Sequence, residues 1–297
     1  MNMNVDGIIV HDGTFHADDV LCVSFLQLFS PKLSVRRLSK KELPHVCPRG
    51  TVIADIGLGK YDHHQEDAVR RKDGKKHAAC GLLLADYYQM VYPAGVPREL
   101  ETYISAIEDY DNKVEGSDED CITKYVRLCN PEWDDDQSRG SYDKAFLNAA
   151  AVVREHFLRP FIHAPHLPDE EMSFINNQIR ILSDRHSRAE KRAEEQIIKA
   201  YDHSDHLVVV LPLRMPWYNY LIPTNALFVI NPSNRGGYHL QCIPSEIGKN
   251  KFKLLLPKLW LKDMPVGCSF VHPELFIAAF ITQEDAISAA NSIIKML

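Results

Sequence analysis
No run of about 18 apolar residues occurs in the 297-residue chain, so a membrane-spanning helix is not expected. The opening stretch, MNMNVDG, lacks the basic and apolar regions of a secretory signal, and it is not Arg-rich like a transit peptide. Seven cysteines are scattered without a C-x-x-C pair, which argues against a disulfide framework or zinc cluster and for a reducing cytoplasm. Broad positive charge is missing too. Lys and Arg total 34 against 40 Asp and Glu, a net charge of −6, which argues against a general duplex-coating protein. Internal repeats and low-complexity tracts are also lacking.

What is present is ordinary in bulk. Hydrophobic residues make up 45% and charged residues 25%, and the length suits two domains or one large one. In the first third, GIIV (7–10) reads as a short buried strand and ADDVLCVSFLQLF (17–29) as a helix. A turn signal, SP (30–31), precedes a weak strand from Leu33 to Leu38, and TVIADIG (51–57) is a β-branched run ending in Asp and Gly. Helices follow over 78–91 and 98–110. Strands alternating with helices imply a parallel sheet in an α/β domain, whose ligands gather beyond the carboxyl ends of the strands.

Residues 142–158 read as helix, and the Pro-rich RPFIHAPHLP breaks it. Residues 168–201 then read as one long helix, with Pro168 at its first position and Asp169, Glu170 and Glu171 at the positive end of its dipole. Its middle, RHSRAEKRAEE, is charged on most faces, as in a helix that bridges two domains. From 207 the pattern turns to strands, HLVVVL, ALFVINP, YHLQCIP and FKLLLP, suggesting an antiparallel sheet closed by a helix at 283–296. The expected organisation is an α/β domain over 1–165, a connecting helix over 166–205, and a smaller α+β domain over 206–297.

Polar clusters sit where that topology would place a ligand. HDGTFHADD (11–19) follows the first strand, bringing His11, His16, Asp18 and Asp19. Asp55 ends the third strand, YDHHQ (61–65) follows six residues later, and EDYDN (108–112) closes a helix. Imidazole mixed with carboxylate suits divalent ions such as Mn²⁺. Two ions about 3.5–4 Å apart need roughly six protein ligands with one carboxylate shared, and the chain has enough. Each element alone has an ordinary reading: Asp18 and Asp19 could simply charge a helix start. Their order along the chain carries the signal.

In that order the clusters resemble the DHH phosphoesterase superfamily. More narrowly, HDGTFHADDVL resembles the H-N-G-x-F-H-x-D-E signature of the Myg exonuclease family, with further similarity in YDHHQ, RLCNPEW, LLLPKLW, FVHPELFIAAF and EDAISAA. The resemblance spans nearly the whole chain. It implies two Mn²⁺ or Mg²⁺ ions and phosphodiester hydrolysis. On the matching positions, His11 and His16 would ligate one ion, Asp18 and His63 the second, and Asp55 would bridge. His64 would contact the substrate phosphate, and Asp62 would orient the histidine ligands.

Three positions depart from the family pattern. Asp12 replaces the usual Asn, and Glu108 and Lys113 replace the first Asp and the Gly of a D-x-x-D-N-G motif. The last ligand of the second ion therefore lies between Glu108 and Asp111, with Asp111 favoured. The nearest stretch to a glycine-rich nucleotide-binding motif is NRGGYH (234–239), which equally suits a hairpin turn.

The basic stretch RRKDGKK (70–76) offers Arg70, Arg71, Lys75 and Lys76 as a phosphate-steering lip, or else a solvated loop. Arg235, His239 and His272 are candidates for the substrate's far end. The leading expectation is a metal-dependent phosphodiesterase, an exonuclease on single-stranded RNA or DNA. Its rivals are a phosphoesterase for dinucleotides or short oligonucleotides, favoured somewhat by the acidic charge, and a non-catalytic metal-binding regulator. Oligomeric state, including a homodimer, is left open.

Overall fold
The apolar run at 7–10 forms the middle of a three-stranded parallel sheet in the computed structural model, which describes residues 5–233, 236–248 and 251–296. Strand β1 (Gly7–His11) lies between β2 (Ser34–Leu38) and β3 (Thr51–Ile53), with Gly7 opposite both Ser34 and Thr51. Ile8, Ile9 and Val10 are all buried, as expected of a central parallel strand covered on both faces. The chain leaves β1 through α1 (Ala17–Phe29) to one side and returns to β3 on the other. That reversal opens a crevice at the carboxyl ends of β1 and β3, where His11 and Asp55 sit.

Helix α1 is apolar nearly all round, and every residue from Ala17 to Leu26 is buried. It packs against α2 (Ala79–Tyr87), α3 (Arg98–Asp111), α4 (Cys121–Cys129) and α5 (Arg139–Val152), whose end continues into a π-helical turn, Val153–Leu158. Phe15, Phe146 and Phe157 fill this core. Helix α6 (Asp169–Asp202) runs 34 residues. Two compact units divide inside it: one takes the chain up to Pro131 and Asp136–Arg185, the other Glu132–Asp135 and everything from His186. No described helix is long and apolar enough to cross a membrane.

The second unit holds β4 (Val208–Val210), the short α7 (Tyr218–Leu221), β5 (Phe228–Pro232), β6 (Tyr238–Cys242), β7 (Cys268–Val271), β8 (Ile277–Phe280) and α8 (Gln283–Ile294). Its sheet runs β4-β5-β6-β8-β7 and is mixed, because β4 and β5 pair in parallel across a crossover containing α7. The expected all-antiparallel sheet is therefore corrected. So is the expected strand FKLLLP. It forms a single bridge, Pro244 with Phe252, while the Lys253 ammonium is drawn to the carbonyls of Leu221, Thr224 and Ala226. The hairpin of β7 and β8 takes the place of that strand. The described cysteines are all free thiols.

Candidate metal centre
His11 ends β1, and the turn after it delivers His16 to the start of α1, with Asp18 and Asp19 in the first helical turn. Asp18 is fully buried, and its two oxygens accept the backbone N–H groups of Ala79 (2.9 Å) and Cys80 (2.6 Å). These are orphan donors at the start of α2, whose N-cap, Ala78, has no side-chain acceptor. One carboxylate thus caps a neighbouring helix and is locked in place. Asp55 follows β3 with φ 56°, a left-handed conformation that few residues other than Gly adopt and that Asp tolerates better than most. Its N–H donates to Tyr61 O at 2.8 Å, holding the strained turn.

The Asp55 carboxylate faces two histidines. Its Oδ2 lies 3.4 Å from His11 Nε2, and its Oδ1 lies 3.2 Å from His63 Nε2. His63 Nε2 is also 3.2 Å from Asp111 Oδ2 and 4.0 Å from Asp18 Oδ2. Three overlapping groups have ligand atoms all within 4.8 Å of one another: His11, His16 and Asp55; Asp55, His63 and His64; Asp18, His63 and Asp111.

The tautomers of the two central rings follow from their other nitrogens. His11 Nδ1 donates to Asp12 O at 3.0 Å. His63 Nδ1 donates to Asn112 Oδ1 at 3.1 Å, because the Asn112 amide nitrogen is directed at the carbonyls of Lys76, His77 and Glu108. Both rings therefore turn Nε2 towards the carboxylates; without metal that nitrogen carries a proton shared with Asp55, and displacing the proton would free its lone pair for a cation.

The charges point the same way. Burial raises the Asp18 and Asp111 pKa values, and the Asp55 charge adds to both. Burial also lifts Asp19 to about 6 against the pull of His11. Burial opposes charge on His11 and His63, yet Asp19 and Asp55 carry His11 up to about 10, and Asp55 with Asp18 carries His63 up to about 9. The Asp55 carboxyl is depressed: burial works against this, but the bonds from His11 and His63 prevail. No Lys or Arg among the described residues forms an ion pair with these four aspartates. Asp19 Oδ2 lies 3.2 Å from His11 Nε2, off hydrogen-bonding geometry, and has no hydrogen-bond partner. Four carboxylates against two central imidazoles, with one orphaned oxygen, is a donor set that fits divalent cations.

Asp62 is buried and accepts from Leu58 N (2.6 Å), His64 N (3.1 Å) and His64 Nδ1 (2.7 Å). Asp62 thus holds one of the two adjacent histidines, His64, and Asn112 orients the other, His63. His64 is 59% exposed in its side chain while His63 is 6%, so the adjacent rings have different environments. Glu108 faces away from the cluster. It binds His77 Nδ1, Ala78 N and Arg71, whereas Asp111 lies in the cluster.

Two of the five basic residues in the loop are held in ion pairs. Arg71 is engaged by Glu108, Asp109, Asp73 and the Ser105 carbonyl, and Lys75 by Asp109. Both are directed at carboxylates, and neither lines the cavity over the histidines. Arg70 stays exposed and bonds Gly74 O, while Lys76 lines a cavity of about 580 Å³ over His11, Asp55, His63 and His64. In the second unit, His272 Nδ1 accepts from Glu274 N at 3.1 Å and its ring lies 4.3 Å from Phe276, a turn-capping position. Arg235 lies outside the described residues. Asn112 and the cavity-lining Lys113 went unassigned in the sequence, although both stand in or beside EDYDN.

Comparison with known proteins gives the family. The model of the MYG1 exonuclease family, described as an uncharacterised protein family (UPF0160), matches residues 7–294. The chain belongs to this family. It is 25% identical to the MYG1 exonuclease of Homo sapiens over 342 aligned positions, which cover 95% of this chain and 84% of that protein. It is 23% identical to the MYG1 protein of Dictyostelium discoideum, with 95% and 94% covered. A solved structure titled as a pGpG-specific phosphodiesterase, PggH from Vibrio cholerae, aligns over 99% of this chain and 98% of its own at 12% identity and a TM-score of 0.49, too loose a likeness to carry weight.

Proposed function
We propose that the protein is a metal-dependent phosphodiesterase that removes nucleotides from the ends of single-stranded RNA or DNA, or from short oligonucleotides. The observation that carries this reading is the Asp55 carboxylate, whose two oxygens face imidazoles of different ligand groups. The exonuclease name of the mammalian family members supports it. Two divalent ions, Mn²⁺ before Mg²⁺, suit the donors: His11 and His16 for one, Asp18, His63 and Asp111 for the other, and Asp55 for both. When bound, such ions supply an acidified water and neutralise charge on the attacking and leaving oxygens.

The chain's own residues do the rest. The Asp12 carbonyl and Asn112 fix the His11 and His63 tautomers. Asp62 accepts the His64 Nδ1 proton, which leaves Nε2 at the open side of an exposed ring; in its imidazolium form the ring would donate through Nε2 to a phosphate oxygen as charge builds there. Lys76 adds positive charge to the cavity wall. The proposal includes a DHH-like catalytic domain over 1–165, the link over 166–205, substrate binding by 206–297, and a cytoplasmic setting.

Short substrates are favoured by one observation: Arg71 and Lys75 are tied to Asp109, so the basic loop offers no continuous track for a long strand. The non-catalytic reading rested on Glu108 as a damaged ligand, and Glu108 is occupied elsewhere. Release of mononucleotides from end-labelled RNA, DNA and dinucleotides, with and without Mn²⁺, tests the proposal. Turnover of dinucleotides at least matching that of long strands is the expected result. Inactivity on every phosphodiester with both ions bound would overturn it.

A further inference from the structure
Beside the metal cluster lies a larger cavity of about 670 Å³, within the size range of small-molecule sites. His16, Asp111 and Lys113 line both it and the cavity over the histidines, so the two share a rim. Away from that rim its walls are mainly apolar, with Phe15, Ala17, Ile107, Tyr110 and Val114, and Asp18 is its buried carboxylate, bonded to the N–H groups of Ala79 and Cys80. Most of its polar side chains already have partners. Ser117 Oγ donates to Val114 O, Thr123 Oγ1 to Asp120, and Arg127 to Glu119. The Asn130 amide is bonded to both the N–H and the carbonyl of Phe15. Such walls can stack a flat ring but offer little to read its edge.

Lys113 follows α3 at φ 53°, a left-handed position where glycine would be unstrained. Its N–H bonds Tyr110 O, and its ammonium has no ion-pair partner among the described residues. A strained, unpaired cation on the rim between an apolar cavity and a candidate metal centre is placed to meet an anion.

We propose that this cavity receives the base of the substrate's terminal nucleotide, stacked on Tyr110 with little selectivity among bases, while Lys113 holds that nucleotide's phosphate. The inference rests on the phosphodiesterase reading. It also accounts for a preference for short substrates, since one end unit is gripped locally without an extended basic groove.

The test is calorimetric titration of the full-length Mn²⁺-loaded protein with AMP, UMP and ribose 5-phosphate. Base stacking on aromatic side chains predicts AMP binding at least about tenfold tighter than ribose 5-phosphate, with UMP within a few-fold of AMP. Val114→Trp, which fills the cavity, and Tyr110→Ala, at an exposed side chain, should each bring the AMP to ribose 5-phosphate ratio towards one. Lys113→Gly should weaken all three ligands by a common factor while Mn²⁺ content stays the same. Equal binding of AMP and ribose 5-phosphate by a protein that hydrolyses phosphodiesters would overturn the base pocket alone. A protein that binds none of the three and hydrolyses nothing would overturn the functional reading with it.

Discussion

Asn112 is the most informative residue to perturb, because its two ends do separable jobs. Its Oδ1 takes the His63 Nδ1 proton at 3.1 Å, and its amide nitrogen lies 2.9 Å from Glu108 O and 3.3–3.4 Å from Lys76 O and His77 O. Asn112→Ala removes both. Loss of a partner that orients a ligand histidine costs about 10–100-fold in metal affinity, or roughly 1.4–2.8 kcal/mol. Loss of the donors leaves carbonyls short of a partner, for about 1–2 kcal/mol of stability. Asn112→Asp keeps an acceptor for His63 but sets a carboxylate against those carbonyls. It should therefore retain Mn²⁺ affinity within a few-fold of wild type while losing stability as the Ala variant does. Mn²⁺ titration and urea unfolding of the metal-free proteins read the two effects separately. Alanine and aspartate variants with the same Mn²⁺ affinity would refute the tautomer argument.

The adjacent histidines should behave differently: His63→Ala should lose metal and activity together, whereas His64→Ala should keep its metal content yet lose roughly 100-fold in turnover, the scale for one transition-state donor. Elemental analysis beside single-turnover kinetics checks this, and a fully active His64→Ala enzyme would reassign the phosphate contact. Arg71→Gln should destabilise the fold by about 1–3 kcal/mol, because it removes the ion-pair partner of the buried Glu108 Oε2 while Oε1 keeps His77 and the Ala78 N–H. Lys76→Gln should leave stability within about 0.5 kcal/mol while weakening substrate binding, so thermal melts of the two variants should differ clearly. In the metal-free protein His11 and His63 have folded pKa values near 10 and 9, above the unfolded 6.5. Their contribution to stability is complete below about pH 6.5 and is lost as pH rises through 9 to 10, so urea midpoints of metal-free protein should fall across that window. The metal-loaded protein should lack this decline, and loading at pH 7 should release protons, those of His11 and His63 among them, measurable by calorimetry in buffers of different ionisation enthalpy.

What was legible in the sequence was local. GIIV reads as a central strand because its side chains are apolar without alternation, and the polar cluster after it stands at the strand's carboxyl end. His11, His16, Asp55, His63 and Asp111 stand at or near such positions, and the fold gathers them, with Asp18 and His64, into three overlapping groups. Long-range partnerships were not legible. Nothing in RRKDGKK shows that Arg71 will meet carboxylates 37 and 38 residues away, so the stretch reads as more open than it is. Asp18 as the cap of α2, and Asn112 as the support of His63, likewise depend on contacts that only the folded chain creates. In the second unit, LLLP has the apolar content of a strand but is drawn into loop contacts through Lys253. The strands that complete the sheet, β8 and the edge strand β7, are four residues each and flank a Pro-containing turn, too short for periodicity to stand out.

The measurement that bears most directly on the account is an anomalous-difference map from crystals of the protein grown with Mn²⁺. Two peaks are expected, one among His11, His16 and Asp55 and the other among Asp18, His63 and Asp111, with Asp55 touching both. A single peak that leaves Asp55 unshared, or Mn²⁺ bound only at other residues, would contradict the two-ion centre.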